Sequence, residues 1–212
     1  MNKRIFLTVL FSVVLVISAF AQDLKQITLL PPQKEGGKPL MQALNERKTS
    51  REFDANKKLT DQQLSNLLWA AFGVNRTDGK RTAPTAMNKQ ETDVYVVLDK
   101  GIFVYNAEKN TLDPVVAGDF RKDMGKQDFV ASASVVLVFV ADYDKMNGDD
   151  KTKDFYSAVD VGYISQNVYL FAASENMNSV VLGWIDRDAM VPVLKLKKNQ
   201  KIILSQCVGL GK

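Results

Sequence analysis

The stretch Val135-Val136-Leu137-Val138-Phe139-Val140-Ala141 is the strongest indication of the fold in this sequence. A continuous apolar run rich in β-branched residues is typical of a strand that is buried on both faces in the middle of a sheet. Shorter apolar runs before and after it predict further strands. These are residues 94–98, 102–105, 115–116, 179–182 and 202–208.

Helical spacing of apolar residues predicts helices between these strands. One of them opens at Thr60, where Gln63 three residues later completes a capping box, and it ends at Gly73. The other predicted helices cover residues 40–47, 119–124, 154–176 and 186–196. Because strands and helices are mixed without strict β-α-β alternation, the sequence predicts an α+β fold rather than a doubly wound parallel sheet.

The first 21 residues predict a signal peptide that is removed from the working protein. Lys3 and Arg4 precede the apolar run 5–20, and Ala19-Phe20-Ala21 places small residues at the two positions that a signal peptidase reads. We therefore expect cleavage before Gln22 and export to the periplasm. An uncleaved anchor is the alternative, although the run is short for a span of about 20 residues.

The rest of the chain divides into an extended arm, 22–38, and a single domain, 39–212. Loss of Lys3 and Arg4 with the leader leaves 26 basic against 24 acidic residues, so the net charge falls from +4 to +2. A chain this close to neutral gives no support for nucleic-acid binding, which needs a basic face.

Histidine is absent from the sequence, and cysteine occurs once. The lack of histidine excludes Ser-His-Asp and Cys-His catalysis and His-based metal sites. Cys207 lies in an apolar run, which is typical of a small buried hydrophobe rather than a nucleophile. Enzymatic chemistry would then require carboxylates, Lys, Tyr, a metal held by oxygen atoms, or a bound cofactor.

The segment Arg47-Lys48-Thr49-Ser50-Arg51, here called the basic segment, places three cations and two hydroxyls at the end of a predicted helix. Arginine offers a planar fork of donors that suits phosphate, and the hydroxyls can complete the shell. The alternative is a solvated helix end whose cations favour the helix dipole. The segment by itself therefore leaves phosphate binding open.

A second polar segment, residues 80–90, leads into the strand at 94–98. Pro84 stiffens it, Ala83 and Ala86 leave room for a flat group near the backbone, and Asn88 and Gln90 offer amides that suit a ring edge. The alternative is an ordinary polar loop.

Together, the two segments resemble the nitroreductase family of FMN-dependent oxidoreductases. The first matches Arg-basic-(Ser/Thr)-x-(Arg/Lys)-x-Phe, and the second matches Pro-(Ser/Thr)-x-x-Asn-x-Gln before a strand. Asp160-Val161-Gly162 with Gln166-Asn167 resembles the signature of the family's long central helix, and residues 208–212 resemble its closing segment. Residues 68–76 together with 81–84 resemble the branch that includes the azoline-forming oxidases. The resemblance covers about residues 40–212.

The resemblance implies a mostly antiparallel sheet flanked by helices, and a homodimer with two FMN sites at the subunit interface. The basic segment would hold the phosphate, the 84–90 loop would follow the isoalloxazine ring, and Gly183 would approach the flavin N5. By position, the cofactor-binding residues are Arg47, Lys48, Thr49, Arg51, Pro84, Thr85, Ala86, Asn88, Gln90, Gly183 and Lys212. Lys89-Gln90-Glu91, Trp184 and Gly211 depart from the family pattern.

In such an enzyme the flavin carries the chemistry, so no catalytic side chain and no metal are expected. The implied cycle is ping-pong: a donor, NAD(P)H or an unknown partner, reduces FMN, and a small acceptor such as a quinone or nitroaromatic takes the electrons. The alternatives are a non-catalytic exported flavin- or nucleotide-binding protein and an exported interaction domain without a cofactor.

Overall fold

The computed structural model describes residues 24–212, which form a seven-stranded sheet with helices on its faces. The strands are β1 (Ile27–Thr28), β2 (Thr92–Leu98), β3 (Gly101–Asn106), β4 (Thr111–Ala117), β5 (Val135–Asp142), β6 (Asn178–Leu182) and β7 (Gln200–Gly209). The helices are α1 (Leu40–Glu46), α2 (Asp61–Phe72), α3 (Asp150–Ser174) and α4 (Arg187–Val193). Short 3-10 helices cover Ala86–Asn88, Arg121–Met124, Asp128–Ser132 and Tyr143–Lys145.

The sheet order is β1-β4-β3-β2-β5-β7-β6, and each pairing between these strands is antiparallel. The α+β prediction with a mostly antiparallel sheet is confirmed.

The predicted central strand, β5, lies between β2 and β7 and separates two apolar cores. Val135, Leu137 and Phe139 point to the core that α2 and α3 cover. Val136, Val138 and Val140 point to the opposite core, which the 3-10 helices and α4 close. Both faces of β5 are therefore buried, which explains why its sequence is continuously apolar rather than alternating.

Helix α2 has the predicted capping box. The Thr60 hydroxyl accepts a hydrogen bond from the Gln63 backbone N–H at 3.2 Å, and Gln63 accepts one from the Thr60 N–H at 2.9 Å. Gly73 follows the last helical residue in an extended conformation with φ −76°. A side chain at Gly73 would lie 2.7 Å from the Trp69 Cα atom, so close approach rather than a left-handed turn requires glycine there.

The long helix α3 begins at Asp150, four residues before the predicted start, because the Asp149 side chain caps it by accepting the Thr152 N–H at 2.9 Å. It ends at Ser174, since Asn176 adopts a left-handed conformation with φ 57°.

Two other predicted helices are shorter than expected. Residues 119–124 contain only the 3-10 turn Arg121–Met124, and α4 stops at Val193, before Leu196.

The predicted arm is packed on the domain from residue 24 onwards. It contributes β1, which pairs with β4, and then crosses α2, where Ser65 donates to the Leu30 carbonyl and Gln33 donates its N–H to Asn66 at 2.8 Å. The strand was not predicted because two residues carry no periodicity.

The predicted signal peptide, 1–21, lies outside the described residues. Within residues 24–212, none of the helices is long and apolar enough to cross a membrane.

Candidate functional site

The basic segment lies along the free edge of the sheet. The Ser50 N–H donates to the Ser179 carbonyl of β6 at 2.9 Å, and the Asp54 N–H donates to the Leu210 carbonyl after β7 at 2.9 Å. Edge strands present unpaired backbone groups, and these bonds satisfy some of them. The segment is thereby held in a defined position at the end of α1.

The three cations of the basic segment carry unneutralised positive charge. Arg47 is half-buried, Lys48 and Arg51 are exposed, and none of the three forms an ion pair within residues 24–212. Lys38, which lines the same cleft as Lys48, is instead neutralised by Glu46 at 2.6 Å. Charge-assisted hydrogen bonds from such a segment are suited to an anion of phosphate type.

Tyr169 of α3 connects the basic segment to strand β6, and the sequence analysis did not single it out. Its hydroxyl lies 3.2 Å from the Thr49 hydroxyl and accepts the Val181 N–H at 2.9 Å. The Arg47 guanidinium lies 5.4 Å from the centre of its ring, within range of a cation–π contact. A single tyrosine on a predicted helix is typical of a residue that packs in the core. No sequence pattern therefore predicted a role for Tyr169 at the site.

Gly183 lies at the end of β6 and is exposed. Alternate N–H groups of a strand point to the same side. The Gly183 N–H therefore points outward from the same sheet edge as the Val181 N–H. It donates no hydrogen bond within the described part of the chain, and a Cβ atom there would meet only Leu204, at 3.8 Å. The neighbouring Trp184 is 66% exposed. A flat ligand can therefore approach this backbone donor closely.

The C-terminal segment runs beside the basic segment. A side chain at Gly211 would contact Asn178 at 3.0 Å and the Glu52 carbonyl at 3.9 Å, and the Lys57 ammonium donates to the Gly211 carbonyl at 3.0 Å. Lys212, which is exposed, follows directly.

The loop from Pro84 to Gln90 is compact and strained. The Thr85 hydroxyl accepts the Gln90 N–H at 2.9 Å, which closes the loop. Met87, Asn88 and Gln90 have positive φ angles of 52°, 53° and 48°. Non-glycine residues adopt this conformation at a cost of about 1–2 kcal/mol each, so the surrounding contacts must hold the loop in place.

The side chains of Gln90 and Asn88 have different surroundings. Gln90 accepts a hydrogen bond from the Arg81 Nε at 2.9 Å and donates to the Gly79 carbonyl at 3.1 Å, so its amide is used within the loop. Arg81 is itself held against the Phe72 ring, 4.5 Å from its centre. Asn88 is exposed at the loop surface together with Pro84. Gln90 Nε2 also donates to the Asn88 amide oxygen at 3.3 Å, so the exposed Asn88 keeps only its amide NH2 group unused among the described residues.

A pair of buried carboxyls lies under this loop. Asp160 of α3 accepts the Ala86 N–H at 2.8 Å, and the carboxyl of Glu91 lies beside that of Asp160. Burial, reinforced by the adjacent Asp160 charge, raises the pKa of Glu91 to about 7, and burial also raises the pKa of Asp160. Sequence analysis interpreted Glu91 only as a departure from the family pattern.

Comparison with known proteins identifies the family. The model of the nitroreductase family matches residues 44–210. The chain belongs to the nitroreductase family. A Methanocaldococcus jannaschii protein assigned as a nitroreductase, MJ1384, is 29% identical over 176 residues, which are 78% of this chain and 88% of the relative. The resemblance predicted from the sequence is confirmed.

Solved structures of nitroreductases share the fold. A structure assigned as a nitroreductase from Ralstonia eutropha JMP134 has a TM-score of 0.84 and 40% identity, covering 88% of this chain and 90% of its own. One from Desulfovibrio desulfuricans in complex with FMN has a TM-score of 0.61 and 19% identity, covering 83% of this chain and 88% of its own. The second likeness shows the fold alone.

In this nitroreductase, the two predicted halves of the site lie on opposite edges of α3. The basic segment contacts Tyr169, and the loop contacts Asp160, nine residues earlier on the same helix. At 3.6 residues per turn, that spacing places the two residues on opposite sides of the helix and about 13 Å apart along its axis. The body of α3 therefore separates the two halves within one protomer.

Proposed function

We propose that this nitroreductase is an FMN-dependent oxidoreductase whose flavin lies between two copies of the chain. The observation that carries the proposal is the basic segment: three cations without ion-pair partners in the described chain lie beside the free N–H of Gly183 at the same sheet edge. A phosphate and a flat ring attached to it could occupy these two places.

The residues present fit FMN. Arg47, Lys48 and Arg51, with the Thr49 hydroxyl and Lys212 nearby, supply donors and positive charge for the phosphate. The Gly183 N–H supplies a backbone donor for the N5 edge of the ring. When bound, FMN supplies the hydride and electron transfer that the protein's own side chains cannot.

The loop would come from the second copy. Its exposed Pro84 and Asn88 would lie along the ring, and the Asn88 amide would bond its polar edge. In this arrangement the chain's own residues bind and orient the cofactor, and no acid–base side chain is required. That agrees with a sequence that contains no histidine.

The exposed face of α3 supports a homodimer. Besides its buried face, α3 carries large exposed side chains at Phe155, Tyr156 and Tyr163, and open space over Gly162. Helix α1, which packs against α3, adds further exposed apolar residues. These are Leu40, Met41 and Leu44. A helix with apolar residues on both faces is usually covered by other structure on both sides. A contiguous exposed apolar patch is typical of a protein–protein interface.

A mixed dimer tests both the flavin site and its division between subunits. One chain carries Arg47→Ala with Arg51→Ala, and the other carries Pro84→Asp with Asn88→Asp; all four positions are solvent-accessible, so the fold should remain intact. The chains are co-expressed with different tags, and the mixed dimer is purified. Each variant alone should lose FMN, whereas the mixed dimer retains one intact site and about half of the normal flavin.

The control is Lys197→Ala with Lys198→Ala, which removes the same charge from two exposed lysines outside the site. It should retain FMN and its absorbance spectrum. A mixed dimer without flavin would show that the two halves do not complete one site. A colourless wild-type protein that takes up no added FMN would refute the flavin proposal itself.

We further propose ping-pong electron transfer from NAD(P)H or a partner protein to a small acceptor such as a quinone or nitroaromatic. Anaerobic bleaching of the flavin by NADPH, followed by recovery with a quinone, distinguishes this activity from non-catalytic flavin binding. Bleaching only by chemical reductants would favour a partner protein as the donor.

Export to the periplasm also remains a proposal, resting on the small-residue cleavage pattern at Ala19-Phe20-Ala21. Fractionation of the native host and the mass of the mature protein test it. A chain beginning at Gln22 outside the cytoplasm is the expected result, and a full-length chain in the cytoplasm would contradict it.

A further inference from the structure

Glu91 and Asp160 stand apart from the other ionisable side chains of the protein. They are 0% and 2% exposed, and within residues 24–212 they are the only acidic or basic residues that are buried. Neither forms an ion pair in that part of the chain. Two unpaired carboxyls in the interior are costly, so their arrangement requires an explanation.

The hydrogen bonds of the pair require a proton. Asp160 Oδ2 accepts the Ala86 N–H at 2.8 Å, and Glu91 Oε1 accepts the Thr92 hydroxyl at 3.3 Å. Glu91 Oε2 receives no hydrogen bond from any donor in the described residues. Because two ionised carboxylates have no hydrogen to share, these neighbouring carboxyls can form a hydrogen bond only when one of them is protonated.

The charged groups around the pair do not replace that proton. From α3 the titratable group that faces Glu91 is Asp160, and from β5 Asp142 contributes only its backbone N–H, to the Glu91 carbonyl at 2.9 Å. On β2, the neighbouring Asp93 is paired with Lys145 at 3.0 Å. In the loop, the Arg81 Nε is bonded to Gln90. Among residues 24–212, no cation is therefore in place to stabilise both carboxylates.

The pair connects the two ends of the strained loop. Ala86, which Asp160 binds, is near its start, and Glu91, the neighbour of Asp160, directly follows its last residue, Gln90. The loop contains three residues in the left-handed conformation, and these contacts must offset their cost. Two ionised carboxylates side by side under the loop would repel each other and weaken the contact of Asp160 with the Ala86 N–H.

We propose that a single proton shared by Glu91 and Asp160 locks the loop 85–90 against α3 in the conformation that receives the flavin. Both are positioning residues, since they act through the loop backbone. The consequence for FMN rests on the proposed function, whereas the lock itself is a property of the protein without cofactor.

The direction of the pH effect follows from the raised pKa of Glu91, about 7. Between the ordinary pKa of a glutamate and about 7, the folded protein holds a proton that the unfolded chain has released. The lock is therefore complete at low pH and is lost as the pH rises through about 7.

The first test follows the lock in the apo protein. Carbon-13 NMR of side-chain carboxyls should show one glutamate that titrates near neutral pH, and hydrogen exchange should show protection at Ala86 that is lost over the same range. Glu91→Gln supplies a permanent amide donor to Asp160, so it should abolish this titration and keep Ala86 protected. The exposed Glu108→Gln is the matched control and should behave as wild type.

The second test follows FMN. Between about pH 6 and about pH 8.5, the dissociation constant of the wild type should rise by about fivefold or more relative to that of Glu91→Gln, in which the lock persists. FMN's own titration is common to both proteins and cancels in this ratio. Asp160→Asn keeps an oxygen for Ala86 and an amide for Glu91, and provides a second variant if Glu91→Gln does not fold.

The outcomes separate the two proposals. An ordinary glutamate titration, or Ala86 protection that does not change with pH, overturns the lock whatever the protein binds. A normal lock in a protein that never binds FMN leaves the lock standing and refutes the flavin function. A normal lock with FMN affinity parallel in wild type and Glu91→Gln overturns the link between them.

Discussion

At the scale of single residues, Tyr169 contacts both parts of the proposed flavin site, the one for the phosphate and the one for the ring. Its hydroxyl bonds both Thr49, in the basic segment, and the N–H of Val181, two residues before Gly183. One side chain thus sets the spacing between the phosphate donors and the backbone donor for the ring.

Tyr169→Phe should weaken FMN binding while keeping the ring beneath Arg47. The change leaves the Val181 N–H without its acceptor, which costs about 1–3 kcal/mol. We expect the FMN dissociation constant to rise by about tenfold. Fluorescence titration measures it. Tyr105→Phe removes a hydroxyl that makes no hydrogen bond among the described residues and is the control. Equal affinities for the two variants would contradict the role of Tyr169.

At the scale of secondary structure, three of the four helices described above begin where a short polar residue caps them. Thr60 caps α2, Asp149 caps α3 and Asp186 caps α4. Of these, α2 has the complete reciprocal pair, and its buried face contributes Leu67 and Leu68 to the core under the sheet. Its cap therefore stabilises an element on which that core depends.

Thr60→Ala should lower the free energy of unfolding by about 1 kcal/mol, because the Gln63 N–H loses its acceptor. Urea denaturation measures the change as a lower midpoint with an unchanged slope. Thr77→Ala, at an exposed loop position, should leave the midpoint in place. Indistinguishable midpoints for the two variants would show that the capping box does not contribute.

At the scale of the whole molecule, α3 is both the centre of the protomer and the barrier between the halves of the site. One edge holds the loop through Asp160, and the other holds the basic segment through Tyr169. Its outer face, with Phe155 and Tyr163, remains exposed in one copy. A second copy on that face would bury it and supply the missing half of each site.

Tyr163→Arg should dissociate the proposed dimer and release FMN together, because it places a charge at the centre of the exposed face of α3. Sedimentation and flavin absorbance measure the two effects, and circular dichroism should show an intact protomer. Val191→Arg on α4 is the matched control, since Val191 is a similarly exposed apolar residue, 40% against 49%. A monomer that keeps its flavin would contradict a shared site.

Much of this protein could be predicted from local sequence patterns. The β5 run, the Thr60 capping box and the order of the basic segment and the loop each depend on neighbouring residues, whose periodicity and chemistry are visible in the chain. Strand β1 was missed because its two residues are placed by β4, not by their own pattern.

The class of fold, the family and the segments that carry polar chemistry could be inferred from the amino-acid sequence. How those segments are used depends on the tertiary structure. It directed the Gln90 amide to Arg81, placed Tyr169 between Thr49 and Val181, and buried Glu91 beside Asp160. Some of these contacts join residues that are distant in sequence, and the others depend on the conformation of a loop. Local sequence periodicity predicts neither kind. Burial then turned an ordinary glutamate into one with a pKa of about 7.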